Sequence, residues 1–133
     1  MKKIIFTFIA LFIATSSFAQ EKTAKINQLL AYNNGDGIFT SILNRNIHNI
    51  DQSYHAEFKA AIETAATKYK TEAMKYFAKK YSIADLNAIY AEIQNKSIIN
   101  RTDKTNGFFR EWRGFKGKFQ KAFKEIYREY QTK

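Results

Sequence analysis

The chain has no cysteine and no proline, and valine is missing altogether. Without cysteine there is no disulfide, no metal thiolate and no thiol nucleophile, so stability must come from packing alone. Without proline no helix is interrupted by a ring that removes a donor. The loss of valine, with apolar residues recurring at three and four instead of two, leaves little strand signal. Histidine occurs only twice. His48 and His55 stand seven apart with no HExxH around them, which matches no zinc spacing. GxSxG, P-loop and GxGxxG motifs are missing too. The acids are scattered; Glu57 with Glu63, or Asp85 with Glu92, would meet only through packing. "NNGDG" (33–37) has the composition of a calcium loop without its spacing or closing Glu, and reads as a turn. These absences argue against an enzyme and give no cofactor a place to bind.

What is present begins with a leader. Lys2 and Lys3 precede an apolar run from Ile4 to Ala14, and Ser17-Phe18-Ala19 sets small residues before a cut. That is the layout of a secretory signal peptide cleaved after Ala19. The run is well short of the roughly 20 residues a spanning helix needs. Residues 1–19 are therefore expected to be removed, leaving 20–133 as a single α-helical domain, periplasmic or secreted, with no transmembrane span. One core of modest size suits that length.

The formal charge of +10 is unevenly placed. From Lys96 to Lys133 there are eleven basic residues against four acidic ones; the stretch from Gln20 to Asn95 is nearly balanced. Such asymmetry bears on association and solubility, not on fold.

Periodicity predicts five amphipathic helices. The first spans about 21–32, with Ile26, Leu29 and Leu30 inward, and stops at the Asn-Gly turn. The second spans about 36–49, with a stripe of Ile38, Phe39, Ile42, Leu43, Ile47 and Ile50. Asp51 or Ser53 would cap a long third helix, 53–80, carrying Tyr54, Phe58, Ile62, Ala65, Tyr69, Tyr76 and Phe77 inward. Ser82 and Asp85 form a capping-box pair for the fourth, with Ile83, Leu86, Ile89, Tyr90 and Ile93 inward, ending near Asn95. Thr105 or Asn106 would cap the fifth, from Gly107 to Gln131. Between the last two, "NKSIINRTDKTNG" is polar apart from Ile98 and Ile99. Short joints and no strand signal give an all-α bundle of about five helices, one of them long and central.

The last helix is the unusual one. "FFREWRGFKGKFQKAFKEIYREY" mixes aromatics with Lys and Arg. At 100° per residue, Phe108, Trp112, Phe115, Phe119, Ala122, Phe123, Ile126 and Tyr130 fall on one side. Arg110, Arg113, Lys118, Lys121, Lys124 and Arg128 are expected on the other. Rings and charges therefore separate, whereas single-stranded nucleic acid needs them on one exposed surface, so nucleic acid is disfavoured as a partner. The six cations are candidate contacts to an anionic surface or protein partner. Trp112, Phe115, Phe119, Phe123, Tyr76 and Phe77 are candidates for a filled core or an apolar groove. Gly114 and Gly117, outside the apolar arc, allow either a bend, a close approach, or no consequence.

"YFAKKYSIADLNAIYAEI" (76–93) resembles the exported bacterial helical family called domain of unknown function 2059. Tyr81, Ser82, Asp85-Leu86, Ile89 and Tyr90 fill that family's aromatic, cap, acidic-Leu and Ile-x-x-aromatic places. "KINQLLAYNNGDGIFTSIL" is similar to its opening. The likeness covers about 25–93 well and the last helix loosely. Asn95-Lys96-Ser97-Ile98 departs from the family's Ser-Pro-x-Gly turn. The resemblance implies an exported α-helical domain and no particular activity. The functional expectation is an interaction protein of the cell envelope that turns its basic last helix toward an anionic partner. The alternative is a carrier of a small apolar ligand or lipid between the helices.

Overall fold

The computed structural model describes residues 18–95 and 101–133. It is all-α, and no strand occurs among the described residues. Helix α1 occupies 18–31, α2 Ile38–Asn46, α3 His55–Lys80, α4 Ile83–Gln94 and α5 Asp103–Gln131. Most of the expected leader lies outside the described residues, as do Ile98 and Ile99. The expected cut after Ala19 falls within the described part of α1.

Two long helices form the frame. Helix α3 has 26 residues and α5 has 29; at about 1.5 Å per residue they reach roughly 40 Å each. They run antiparallel. Phe77, near the end of α3, stacks on Phe108, near the start of α5, at 4.2 Å between centroids. Phe58, at the other end, meets Phe123 at 6.2 Å and Tyr130 at 5.6 Å. Phe39 of α2 lies over the middle of α5, 4.6 Å from Phe119 and 6.0 Å from Trp112. Ile26, Leu29 and Leu30 of α1 are fully buried, as expected. Leu86, Ile89 and Ile93 bring α4 into the same core, while Ile83 and Tyr90 are half-buried.

Helix ends follow from local chemistry. The side chain of Asp51 accepts from Ser53 N at 2.9 Å and caps a 3-10 turn, Gln52–Tyr54, that leads into α3. Ser82 Oγ accepts from Asp85 N at 3.1 Å and the Asp85 carboxylate accepts from Ser82 N at 3.2 Å, completing the expected capping box. Replacing Ser82 with alanine removes one partner of an orphan helix donor. The expected loss is about 1 kcal/mol, read as a lower thermal midpoint; an unchanged midpoint would show that the box contributes nothing.

Two expectations are corrected, the cap of α5 and the side of Tyr76, and the Asn-Gly turn takes a definite form. Helix α5 starts at Asp103, capped by Thr102, whose side chain accepts from Thr105 N. Thr105 is a buried residue inside the helix and not its cap. Tyr76, taken as inward, is 39% exposed; the buried stripe runs through Ala73 and Phe77 instead. In the "NNGDG" turn the left-handed residues are Asn33 and Asn34, at φ 51° and 56°, and no glycine has positive φ. Gly35 is required by proximity: a Cβ there would lie 2.6 Å from the Leu30 carbonyl oxygen.

Candidate functional site

Six ion pairs occur among the described residues; four link separate parts of the fold, and two, Lys59–Glu63 and Lys133–Glu129, are local i,i+4 pairs. Lys80 pairs with Glu111, whose other carboxylate oxygen accepts from the Tyr81 hydroxyl at 3.3 Å. This ties the end of α3 to α5, and the Glu111 carboxylate raises the Lys80 ammonium well above its ordinary range, with help from the Tyr76 hydroxyl. Lys104 pairs with Asp85 at 2.5 Å, tying α5 to α4. That contact, with the Ser82 cap, lowers the Asp85 carboxyl. Lys133 reaches Glu57 at 3.8 Å and Glu129 at 3.7 Å.

None of the six cations proposed on the outer side of α5 takes part in these pairs. Arg110, Arg113, Lys118, Lys121, Lys124 and Arg128 are all exposed. Arg110, Arg113, Lys121, Lys124 and Arg128 share about 80° of arc directly opposite the core. Lys118 is displaced from that face: it sits at the margin of the apolar side, its ammonium 5.1 Å from the Phe115 ring centroid. Glu125 lies among these cations and is exposed, yet pairs with none of them.

The apolar side divides into three kinds of position. Phe77, Phe119, Phe123 and Trp112 are buried. Phe115 is half-buried, with Tyr76 at 5.6 Å and Phe77 at 6.0 Å. Tyr76 is on the outside. These rings are packed against one another along the α3–α5 seam, so they fill the interior between the two helices. A Cβ at Gly114 or Gly117 would meet nothing within 4 Å, which removes close approach of another segment as their purpose. The helix runs through both without a break.

Of the concave regions that stand apart from the seam, two are walled in part by the turn after α1. One, of about 580 Å³, lies between α2 and α3 and is walled by Asn34, Thr40, Ser41, Asn44, Thr67 and Lys70. Its charges are already matched, Lys70 to Asp36 at 3.4 Å. The other, of about 240 Å³, lies where the turn after α1 meets the first half of α5. Tyr32, Phe109 and Trp112 form its aromatic walls, and Arg101, Arg113 and Lys116 its cations. The Arg101 guanidinium sits 5.9 Å from the Tyr32 ring centroid and 5.8 Å from that of Phe109. The Lys116 ammonium is 5.5 Å from the Trp112 ring.

This hollow is chemically incomplete. Among the described residues Trp112 Nε1 and Arg101 Nε are buried donors with no acceptor. Burial pushes the Lys116 ammonium below its ordinary value, and repulsion from Arg113 pushes it further; the charge of Asp36 opposes this weakly. Three cations, Arg101 with its orphan Nε among them, and the Trp112 indole therefore line one hollow, and no carboxylate among the described residues is paired to any of them. Neither Arg101 nor Lys116 was among the expected site residues. Arg101 lies outside the periodic segment, and Lys116 is one cation among many until the turn at Gly35 comes against it.

No group of three or more His, Cys, Asp or Glu is placed to hold a metal among the described residues. His55 donates from Nε2 to the Ile50 carbonyl oxygen at 2.8 Å, and His48 is exposed. Among the described residues no helix is long and apolar enough to cross a membrane. No family model, no curated protein and no solved structure matches the chain.

Proposed function

We propose that the protein is a binder and not a catalyst, exported to the cell envelope, where the outer face of α5 docks on an anionic surface. The observation that carries this reading is the line of exposed, unpaired cations on a helix whose opposite side is committed to the core. Elsewhere in the molecule Lys70, Lys80 and Lys104 have carboxylate partners; along this face Arg110, Arg113, Lys121, Lys124 and Arg128 have none among the described residues. Cations held in one plane on a rigid rod attract a negatively charged leaflet at about 1 kcal/mol each. The aromatic rings of α5 lie on the other side of the helix, buried or half-buried, so contact rests on charge, not on insertion of aromatic side chains. The leader-like residues 1–19 and the likeness to domain of unknown function 2059 support an envelope setting.

Co-sedimentation with vesicles tests it. Phosphatidylcholine vesicles carrying phosphatidylglycerol should bring the protein down at low salt and release it at high salt, because exposed charges are screened over about 10 Å at 0.1 M. Vesicles of phosphatidylcholine alone should not. Equal binding to both, or binding that ignores salt, would reject docking by charge.

A further inference from the structure

The hollow beside Trp112 is a site additional to the outer face of α5, and its chemistry is more specific. A flat cationic face accepts any diffuse negative charge. The hollow instead gathers directional donors: the guanidinium groups of Arg101 and Arg113, the Lys116 ammonium and the Trp112 indole N–H. Two of these donors, Arg101 Nε and Trp112 Nε1, are buried without an acceptor among the described residues. A buried donor left unpaired is costly, so this corner of the molecule favours a ligand rich in acceptors. Trp112 is itself only 2% exposed. Its Nε1 lies on the side of the ring facing Gly35, where a Cβ would stand 3.2 Å away, and Gly35 is a wall of the same hollow. Any larger residue at that position would crowd the indole N–H.

The kind of ligand follows from the donors. Lone Arg and Lys groups within reach of one another repel, and the Lys116 ammonium, lowered first by burial, is lowered further by Arg113. An anion among them relieves it. A single carboxylate offers two oxygens and one charge against three cations. A phosphate monoester or inorganic phosphate offers three or more oxygens and close to two charges, and arginine matches phosphate with paired N–H donors. An apolar ligand would desolvate the cations without compensation. Two carboxylates stand near without pairing to these cations: Asp103 borders an adjoining concave region that shares Arg101, Phe109 and Arg113, and the charge of Asp36 is felt at Lys116.

We propose that this hollow binds a phosphate-monoester oxyanion through Arg101, Arg113 and Lys116, against the wall formed by the Trp112 indole. The same chemistry is presented by free phosphate and by a lipid headgroup ending in a phosphomonoester.

Trp112 is the chain's one tryptophan, so its fluorescence reports on the site directly. Inorganic phosphate should give a saturable change in emission that chloride at matched ionic strength does not reproduce. Arg101→Gln and Lys116→Gln should each raise the apparent Kd about tenfold or more, the usual scale for losing a hydrogen bond to a charged group. Lys121→Gln together with Lys124→Gln should leave it unchanged. Circular dichroism confirms that each variant keeps its helix content, and the phosphate-against-chloride comparison on the unaltered chain needs no variant at all. Phosphatidylcholine vesicles carrying phosphatidic acid form the second arm. An emission change at a lower phosphate concentration than with the free ion assigns the source to the headgroup; a change with inorganic phosphate alone assigns it to the free anion. No response to either probe, an equal response to chloride, or a response untouched by both Arg101→Gln and Lys116→Gln overturns the proposal. Failure here with salt-sensitive vesicle sedimentation intact leaves the outer-face reading standing. Loss of sedimentation in Lys121→Gln/Lys124→Gln with the phosphate response intact concerns that reading and not this one.

Discussion

Replacing Phe77 with alanine is expected to remove about 3–5 kcal/mol of stability, the usual range for truncating a buried aromatic. That is a large part of the roughly 5–15 kcal/mol that holds a domain folded. Phe77 is fully buried and lies at the junction of the two long helices. Phe108 stacks on it at 4.2 Å with the planes 27° apart, Phe115 meets it at 6.0 Å and Tyr81 at 6.1 Å. These neighbours sit on elements fixed independently: α5 by its length, and Tyr81 by its hydroxyl on Glu111. None can easily move inward, so the vacated volume persists as a cavity. Tyr76 supplies the comparison. It is the preceding residue and touches Phe77 and Phe115, yet it is 39% exposed. Tyr76→Ala is expected to cost about 1 kcal/mol or less, typical of a surface position. Urea unfolding followed by circular dichroism should separate the two variants by several-fold in lost stability. Similar losses would mean that the seam is not packed around Phe77.

That pair of residues also shows how far the sequence speaks. Helical spacing identified the α3 stripe but admitted two phases near its end. Tyr76 continues the seven-residue step from Tyr69, while Phe77 continues the four-residue step from Ala73. Side-chain size favours both rings; only the position of α5 decides, and α5 takes Phe77. Local capping chemistry was easier to read. Ser82 and Asp85 each bond the other's backbone N–H, a local exchange that helical spacing alone makes readable, although Asp85 also meets Lys104. At the start of α5 the same kind of signal was present in Thr102 and Thr105 but was obscured by Asn106-Gly107, which resembles a helix boundary. Gly107 costs about 1 kcal/mol inside a helix. Burial of Thr105 against the core, and the Glu92 carboxylate accepting from Thr102 N at 3.0 Å, extend the helix past it.

The outer cations were legible because both rings and charges obey one helical period. Lys118 is the exception: the period places it within about 60° of Phe115, and its long side chain lies along the ring. The hollow was not legible. Tyr32, Arg101 and Trp112 are far apart in sequence and meet only when the turn after α1 closes over α5. No periodicity encodes an unpaired donor. In the Asn-Gly turn either residue type could have taken the left-handed backbone. Asparagine took it, and Gly35 serves by leaving out a side chain beside the indole.

Neutralising Arg110, Lys121, Lys124 and Arg128 together, each to glutamine, is expected to lower partition onto phosphatidylglycerol-containing vesicles by about three orders of magnitude, from about 1 kcal/mol for each cation near an anionic leaflet. The four side chains are exposed and lie on the side of α5 away from the core. They make no ion pair among the described residues, so no carboxylate is stranded by their removal. Stability should therefore change by only a few tenths of a kcal/mol per site. Like charges along one face repel, and relieving that repulsion acts in the opposite direction to any lost helix propensity. Binding and folding are thus separable in this variant, which Phe77→Ala cannot achieve. A control set of Lys70, Lys80 and Lys104 removes three cations already neutralised by Asp36, Glu111 and Asp85. It should weaken vesicle binding far less while costing more stability, because each substitution leaves a carboxylate without its partner. If the two sets weaken binding equally, net charge alone drives association and the alignment of cations along α5 has no special part in it. If the outer-face set acts alone, the separation of rings from charges on one helix is what turns a core element into a docking surface.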